Sequence, residues 1–225
     1  MPTKASNRVF GVTHSSIIAF RFLHRYYRKW IIVAMPRFMR SISEFFLETV
    51  ETVVIALSIF LVVYLFFMQP HQVNGQSMVP NFQSGEYVLT DKVSYKMRNP
   101  ERGEVIVFHA PETANCPKGT GCDFIKRVIA TPGETVALVN SQYIVNGQPL
   151  PESYIPEDFE TLPGAFMKNR VVTLGPDEYF VSGDNRPFSS DSRAWGPISK
   201  SDIVGRAFFR YWPIPVVGVI RTARY

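Results

Sequence analysis

The 225-residue chain is poor in the side chains that hold metals: it has two cysteines, four histidines, no H-E-x-x-H and no C-x-x-C. It also lacks G-x-x-x-x-G-K-[ST] and G-x-S-x-G, so phosphate-cradling loops, zinc-protease helices and nucleophile elbows have no sequence support. No cofactor or metal is expected. Acidic residues are nearly missing from the first 46 positions, where Glu44 stands against Lys4, Arg8, Arg21, Arg25, Arg28, Lys29, Arg37 and Arg40, a net +7. The remainder holds sixteen basic and eighteen acidic side chains, a net −2, and the two parts together give the chain's +5. The basic excess therefore lies in an N-terminal arm and not on a folded surface, which argues against a nucleic-acid partner.

Charge is also absent from Thr52 to Pro70, "TVVIALSIFLVVYLFFMQP". A helix through this run, extended by Phe45, Phe46 and Leu47, can cross a hydrocarbon layer of about 30 Å. A buried core helix is the competing reading, and it suits shorter runs of about 10–14 residues. A cleavable signal peptide would sit at the extreme N-terminus. Because lysine and arginine stay on the cytoplasmic side, the N-terminus is expected inside and residues 71–225 outside, in the plasma (inner) membrane. Ile17–Met35 places Arg21, Arg25 and Arg28 on one helical face, the pattern of an interfacial helix on anionic lipid. The expected organisation is a basic cytoplasmic arm over 1–46, a transmembrane helix over 47–69 and an extracytoplasmic β-rich domain over 70–225.

Beyond the helix, short segments rich in Val, Ile, Phe and Tyr alternate with Gly, Pro, Asn and Asp. "EYVLTDKV", "GEVIVFHA", "DFIKRVIA", "TVALV", "QYIVNG", "RVVTL", "EYFVS" and "DIVGRAFFRYW" read as strands, with Asn146-Gly147 as a tight hairpin. Many short strands without helical periodicity predict a mainly β domain, a barrel or sandwich. Cys116 and Cys122, on the oxidising side, fit a small disulfide loop, with free thiols as the alternative. The C-terminal "FFRYWPIPVVGVI" is too short and too interrupted by proline to span a membrane. Trp212 is expected at the bilayer interface, or else in a last strand that closes the core.

The stretch "HQVNGQSMVPNFQSGEYVLTDKV", His71–Val93, follows the apolar run directly and reads either as a linker or as a functional loop. Only His71 and His109 lie in the outer part, and neither has the neighbourhood of a Ser-His-Asp triad. A serine can instead be activated by a neutral lysine whose pKa burial has lowered. Of the outer lysines, Lys92, Lys96, Lys118, Lys168 and Lys200 sit among turns or charges. Lys126, by contrast, lies inside a strand. Alternation does not separate Lys126 from Arg127, but only the lysine can give up its proton. A lysine snorkelling from a strand edge is the plainer alternative.

"GQSMVP" after an apolar helix, "RGEVIVF", "IKRVIATPGE" and "SGDNRPFSSDSRAWGPI" together resemble, in order over roughly residues 50–212, the bacterial type I signal peptidases. These are membrane-anchored Ser/Lys endopeptidases. The resemblance implies cleavage of N-terminal signal peptides from exported preproteins after small residues. It implies Ser77 as nucleophile, Lys126 as general base, Ser189 as the serine that orients the lysine, and Asp184, Asp191 and Arg193 as braces. It further implies shallow pockets lined by Val73, Met78, Phe124 and Ile125. An oxyanion would face the Ser77 backbone N–H, since the position two residues earlier, where some members carry a serine, is Gly75. Expected partners are preproteins, the lipid bilayer and the export translocon. Departures are Asn81, where other members have threonine, and Pro187-Phe188 ahead of Ser189. Self-cleaving repressor-type proteases share the dyad logic but lack the anchor, and a membrane-tethered binding module that holds peptides without cutting is the non-enzymatic alternative.

Overall fold

A computed structural model of the chain describes residues 37–114 and 122–225. The expected interfacial helix Ile17–Met35 lies outside the described residues, as does Cys116. Along the chain two units meet at Ile59/Phe60. Helix α1 (Arg37–Phe66) contains a candidate membrane span, Ile42–Tyr64, in which no residue is buried among the described residues. Three of its hydroxyls need no outside partner, because Thr49, Thr52 and Ser58 each donate back to the carbonyl four residues earlier. That is how polar groups are satisfied in a helix without water. The helix begins ten residues before position 47, so the last part of the basic arm continues it.

The second unit is mainly β, as expected. Strands β1 (Met68–Gln72), β2 (Tyr87–Asp91), β3 (Val105–His109), β4 (Asp123–Ala130), β9 (Glu178–Ser182), β10 (Ile198–Ser199), β11 (Ile203–Trp212) and β12 (Gly218–Val219) form one antiparallel sheet. Its order is β1-β2-β11-β3-β4-β9-β10, with β12 on β11. A smaller sheet, β7-β6-β5-β8, comprises β5 (Thr135–Val139), β6 (Gln142–Val145), β7 (Gln148–Pro149) and β8 (Val172–Thr173). Asn146 and Gly147, with φ of 51° and 77°, make the expected hairpin turn between β6 and β7, where the left-handed region matches the strand twist. Two short helices, α2 (Ser94–Met97) and α3 (Ser192–Trp195), complete the elements that matter here.

All eight expected strands occur. Strand β1 was not foreseen, because "MQPHQ" is polar and holds a proline. Pro70 is tolerated because β1 is an edge strand, where the missing N–H is not needed for a second ladder. The segment that leaves the helix is thus a strand and not only a loop.

The large sheet curls. His71 on the edge strand β1 comes within 3.4 Å of Asp123 on β4, four strands away in the sheet order. Three apolar clusters support this shape. One beneath β1, β2 and β3 includes Val73, Met78, Phe82, Val88 and Val107; a second holds Ile106, Phe108, Val128 and Val181; the third joins Ile129 and Phe180 to the small sheet through Tyr143 and Val145. Cys122 is disulfide-bonded, as expected, and Cys116 is the other cysteine of the sequence.

Candidate active site

Strand β4 is shared between two neighbours. Its whole first part pairs with β3, from Val105↔Arg127 to His109↔Asp123, but pairing with β9 begins only at Arg127↔Ser182. Among the described residues, Asp123–Lys126 therefore has no strand partner on that side. This free edge faces the segment running from β1 to Ser77 across a cleft of about 460 Å³. Val73, Val88, Val107, Phe124 and Ile125 line the cleft, together with Ser77, Lys126, Phe188 and Ser190. Met78 does not line it. Only 1 % exposed, this residue is packed in the core beneath.

Lys126 Nζ donates to Ser77 Oγ at 2.7 Å and to the Ile125 carbonyl at 3.1 Å. The lysine is 4 % exposed. Burial pushes it down to about 8, against the pull of Asp191 and Asp184, with Arg193 adding to the fall. Arg127, equally buried, points elsewhere: Nε and Nη2 grip both oxygens of Asp184 at 2.8 and 2.7 Å, Nη1 donates to the Gly103 carbonyl, and Tyr154 covers the guanidinium. The two adjacent cations that alternation did not separate thus have separate tasks.

Asp184, Asp191 and Arg193 make no hydrogen bond to Ser77 or Lys126 and fix the segments around them instead. Asp184 also accepts from Asn81 Nδ2 at 2.9 Å, so the residue that stands where the resembled family has threonine ties the Ser77 loop to Asp184. Asp191 accepts from the Gly183 N–H, Ser182 Oγ and the Arg193 guanidinium. Burial would push its carboxyl up, but Arg193 and the Gly183 N–H outweigh this and hold it below the usual range. Arg193 Nη2 continues to the Arg186 carbonyl. Gly183 cannot be larger: a Cβ there would stand 2.3 Å from Ser189 Oγ and 2.4 Å from the Ser77 carbonyl oxygen.

Ser189 lies beside this junction, but the hydrogen bond to Lys126 that the resemblance implied is not formed. Its Oγ is buried without a hydrogen-bond partner among the described residues. Sequence reasoning passed over Asn185 and Arg186, although both stand in the quoted "GDNR". Asn185 donates its backbone N–H to Ser77 O and its side-chain Nδ2 to Gln76 O, both at 3.0 Å. Arg186, 1 % exposed, pairs with Glu152 and reaches Thr161 Oγ1 and the Gly183 carbonyl. Gly75, at φ 93°, has the left-handed backbone that lets the chain turn toward Ser77. Neither outer histidine is hydrogen-bonded to Ser77: His71 is bonded to Thr90 and both approach Asp123.

A serine hydroxyl hydrogen-bonded to a buried lysine, in an open cleft on a curled β-sheet, defines the class of serine hydrolases that use lysine as base. Residues 46–212 match the family model described as signal peptidase, peptidase S26. The chain is 37 % identical over 176 residues to a probable signal peptidase I-2 of Synechocystis sp., covering 77 % of each chain. It is 34 % identical to a signal peptidase I of Leptolyngbya laminosa, covering 76 % of this chain and 82 % of that one. With signal peptidase IB of Staphylococcus aureus (strain COL) it shares 36 % identity over 74 % of this chain and 90 % of the relative. A solved signal peptidase I from Enterococcus faecalis V583 aligns with a TM-score of 0.39 and 27 % identity, over 48 % of this chain and 97 % of that one. The chain belongs to the S26 signal peptidase family. With one long apolar helix among the described residues, this fits a membrane-anchored protein.

Proposed function

We propose that this protein is a membrane-bound endopeptidase that removes signal peptides from exported preproteins after small residues, with Ser77 as nucleophile and Lys126 as general base. The observation that carries the assignment is the 2.7 Å contact between Ser77 Oγ and a lysine whose burial brings its pKa to about 8. Neutral Lys126 takes the Ser77 proton as Oγ attacks the scissile carbonyl, and the carbonyl π pair moves onto oxygen. The oxyanion faces the Ser77 backbone N–H, which among the described residues donates to no protein acceptor. On collapse, Lys126 gives its proton to the leaving amine and an ester remains on Ser77. Water, deprotonated by Lys126, then attacks that ester and frees the serine.

The unpaired edge of Asp123–Lys126 suits an extended peptide added as a strand, which brings its carbonyl to the dyad. Upstream residues then meet Val73, Phe124 and Ile125, whose bulk leaves room for small side chains only. Ser77 follows α1 by few residues, so the cut falls near the membrane surface. The charge asymmetry of the chain supports an inside N-terminus and an outside catalytic unit in the plasma (inner) membrane. The bilayer, and the export translocon that delivers preproteins, are the partners this reading implies.

The test is cleavage of a labelled preprotein in liposomes by the wild type, Ser77→Ala and Lys126→Ala, with the new N-terminus sequenced. A cut after a small residue by the wild type alone is expected. Variants that cut as well as the wild type would remove the dyad assignment, and binding without cutting would favour a peptide-holding module.

A further inference from the structure

The N–H that faces the oxyanion belongs to the Gln76–Ser77 peptide unit. This bond is trans, and in a planar trans peptide the C=O and N–H point in opposite directions. Whatever grips Gln76 O therefore aims the Ser77 N–H. Two donors do so: Val79 N at 3.2 Å, from within the same turn, and Asn185 Nδ2 at 3.0 Å, from a segment 109 residues away. Asn185 grips the next carbonyl too, through its own backbone N–H to Ser77 O.

Asn185 has little freedom. It is 4 % exposed and stands between Asp184, fixed on Arg127, and Arg186, fixed on Glu152. Its Oδ1 is buried without a hydrogen-bond partner among the described residues. An unpaired buried acceptor is destabilising, so an amide half-satisfied in this way is retained for what its NH₂ does.

We infer that Asn185 is a positioning residue for the oxyanion site: its side-chain amide sets the plane of the Gln76–Ser77 peptide so that the Ser77 N–H faces the charge developing on the scissile carbonyl oxygen. The inference rests on the peptidase reading above. The role is transmitted entirely through one peptide plane, so removing the amide should weaken the transition state and leave ground-state peptide binding intact.

The experiment compares wild type, Asn185→Asp and Asn185→Leu in the full-length chain in detergent, using three ligands with one peptide sequence. The first is the cleavable substrate. The second is its reduced-amide analogue, which has no carbonyl to attack. The third is the matching peptide aldehyde, to which Ser77 Oγ adds while its proton passes to Lys126, leaving a hemiacetal oxyanion.

In both variants kcat and aldehyde affinity should fall together, about 10- to 100-fold, while KM and reduced-amide affinity stay within about twofold. Should Asn185→Leu fail to fold, Asn185→Ala carries the same measurement. Equal losses on aldehyde and reduced amide, or no loss on the aldehyde, would overturn the inference. A wild type that neither cleaves nor binds the aldehyde would overturn the peptidase reading as well, which separates the two failures.

Discussion

Lys126 loses its charge because water is kept from it, and this makes the reaction sensitive to pH in a definite direction. Below about 8 the lysine is protonated and holds no free pair for the Ser77 proton; above it the base is ready. We expect kcat/KM to climb through an apparent pKa near 8, and Lys126→Arg to be inactive at every pH because a guanidinium stays charged. Asp191 raises the lysine's pKa and Arg193 lowers it. Asp191→Asn removes the first effect and leaves the second without its counter-charge, so the rising limb should move to lower pH. The same change strands a buried guanidinium and should cost about 3–5 kcal/mol of stability, read as a lower unfolding midpoint. A limb that moves upward would contradict this electrostatic account. None of these pairings was legible in the sequence beyond the resemblance, since Ser77 and Lys126 are 49 residues apart and Arg127 and Asp184 are 57 apart.

The strands were legible where β-branched and aromatic residues cluster between turn formers, and β1 was not, because the edge position that excuses Pro70 is a property of the assembled sheet. The end of β9 shows what elements contribute to the site. Gly183 is the point where that strand passes under both Ser189 and the Ser77 carbonyl. Gly183→Ala should lower kcat on the order of 10²-fold by pushing aside the turn that carries Ser77. Gly85→Ala, whose Cβ would meet nothing within 4 Å though its φ is 92°, should lower stability and spare kcat. Comparing the two kinetically separates crowding at the site from backbone strain. Across the cleft, Ile125→Ala should widen the recess for upstream residues, so that sequenced products show cuts after larger side chains. Unchanged termini would remove Ile125 from the pocket.

At the scale of the whole molecule the anchor was legible because length and lack of charge are local properties of a sequence. The fate of the C-terminal segment was half legible. Strand β11 runs through the large sheet between β2 and β3, as a core strand should, yet Trp212 at its end is 50 % exposed, with Ile214 and Val219 beyond it at 72 % and 71 %. This tip should enter the lipid interface. In brominated-lipid vesicles Trp212 fluorescence should be quenched, and a Trp212→Phe chain that quenches as strongly as the wild type would exclude the contact. The buried carboxylates Asp184 and Asp191, and the nearly buried Glu152, are each met by an arginine, while the buried lysine has a hydroxyl. In a saturation mutagenesis screen, lysine and arginine would therefore be mutually forbidden in both directions. At 127, 186 and 193, lysine would lose the forked grip on a carboxylate, and at 126 arginine could never be discharged. The molecule keeps two kinds of positive charge, one for fastening and one for working, and tolerates no exchange between them.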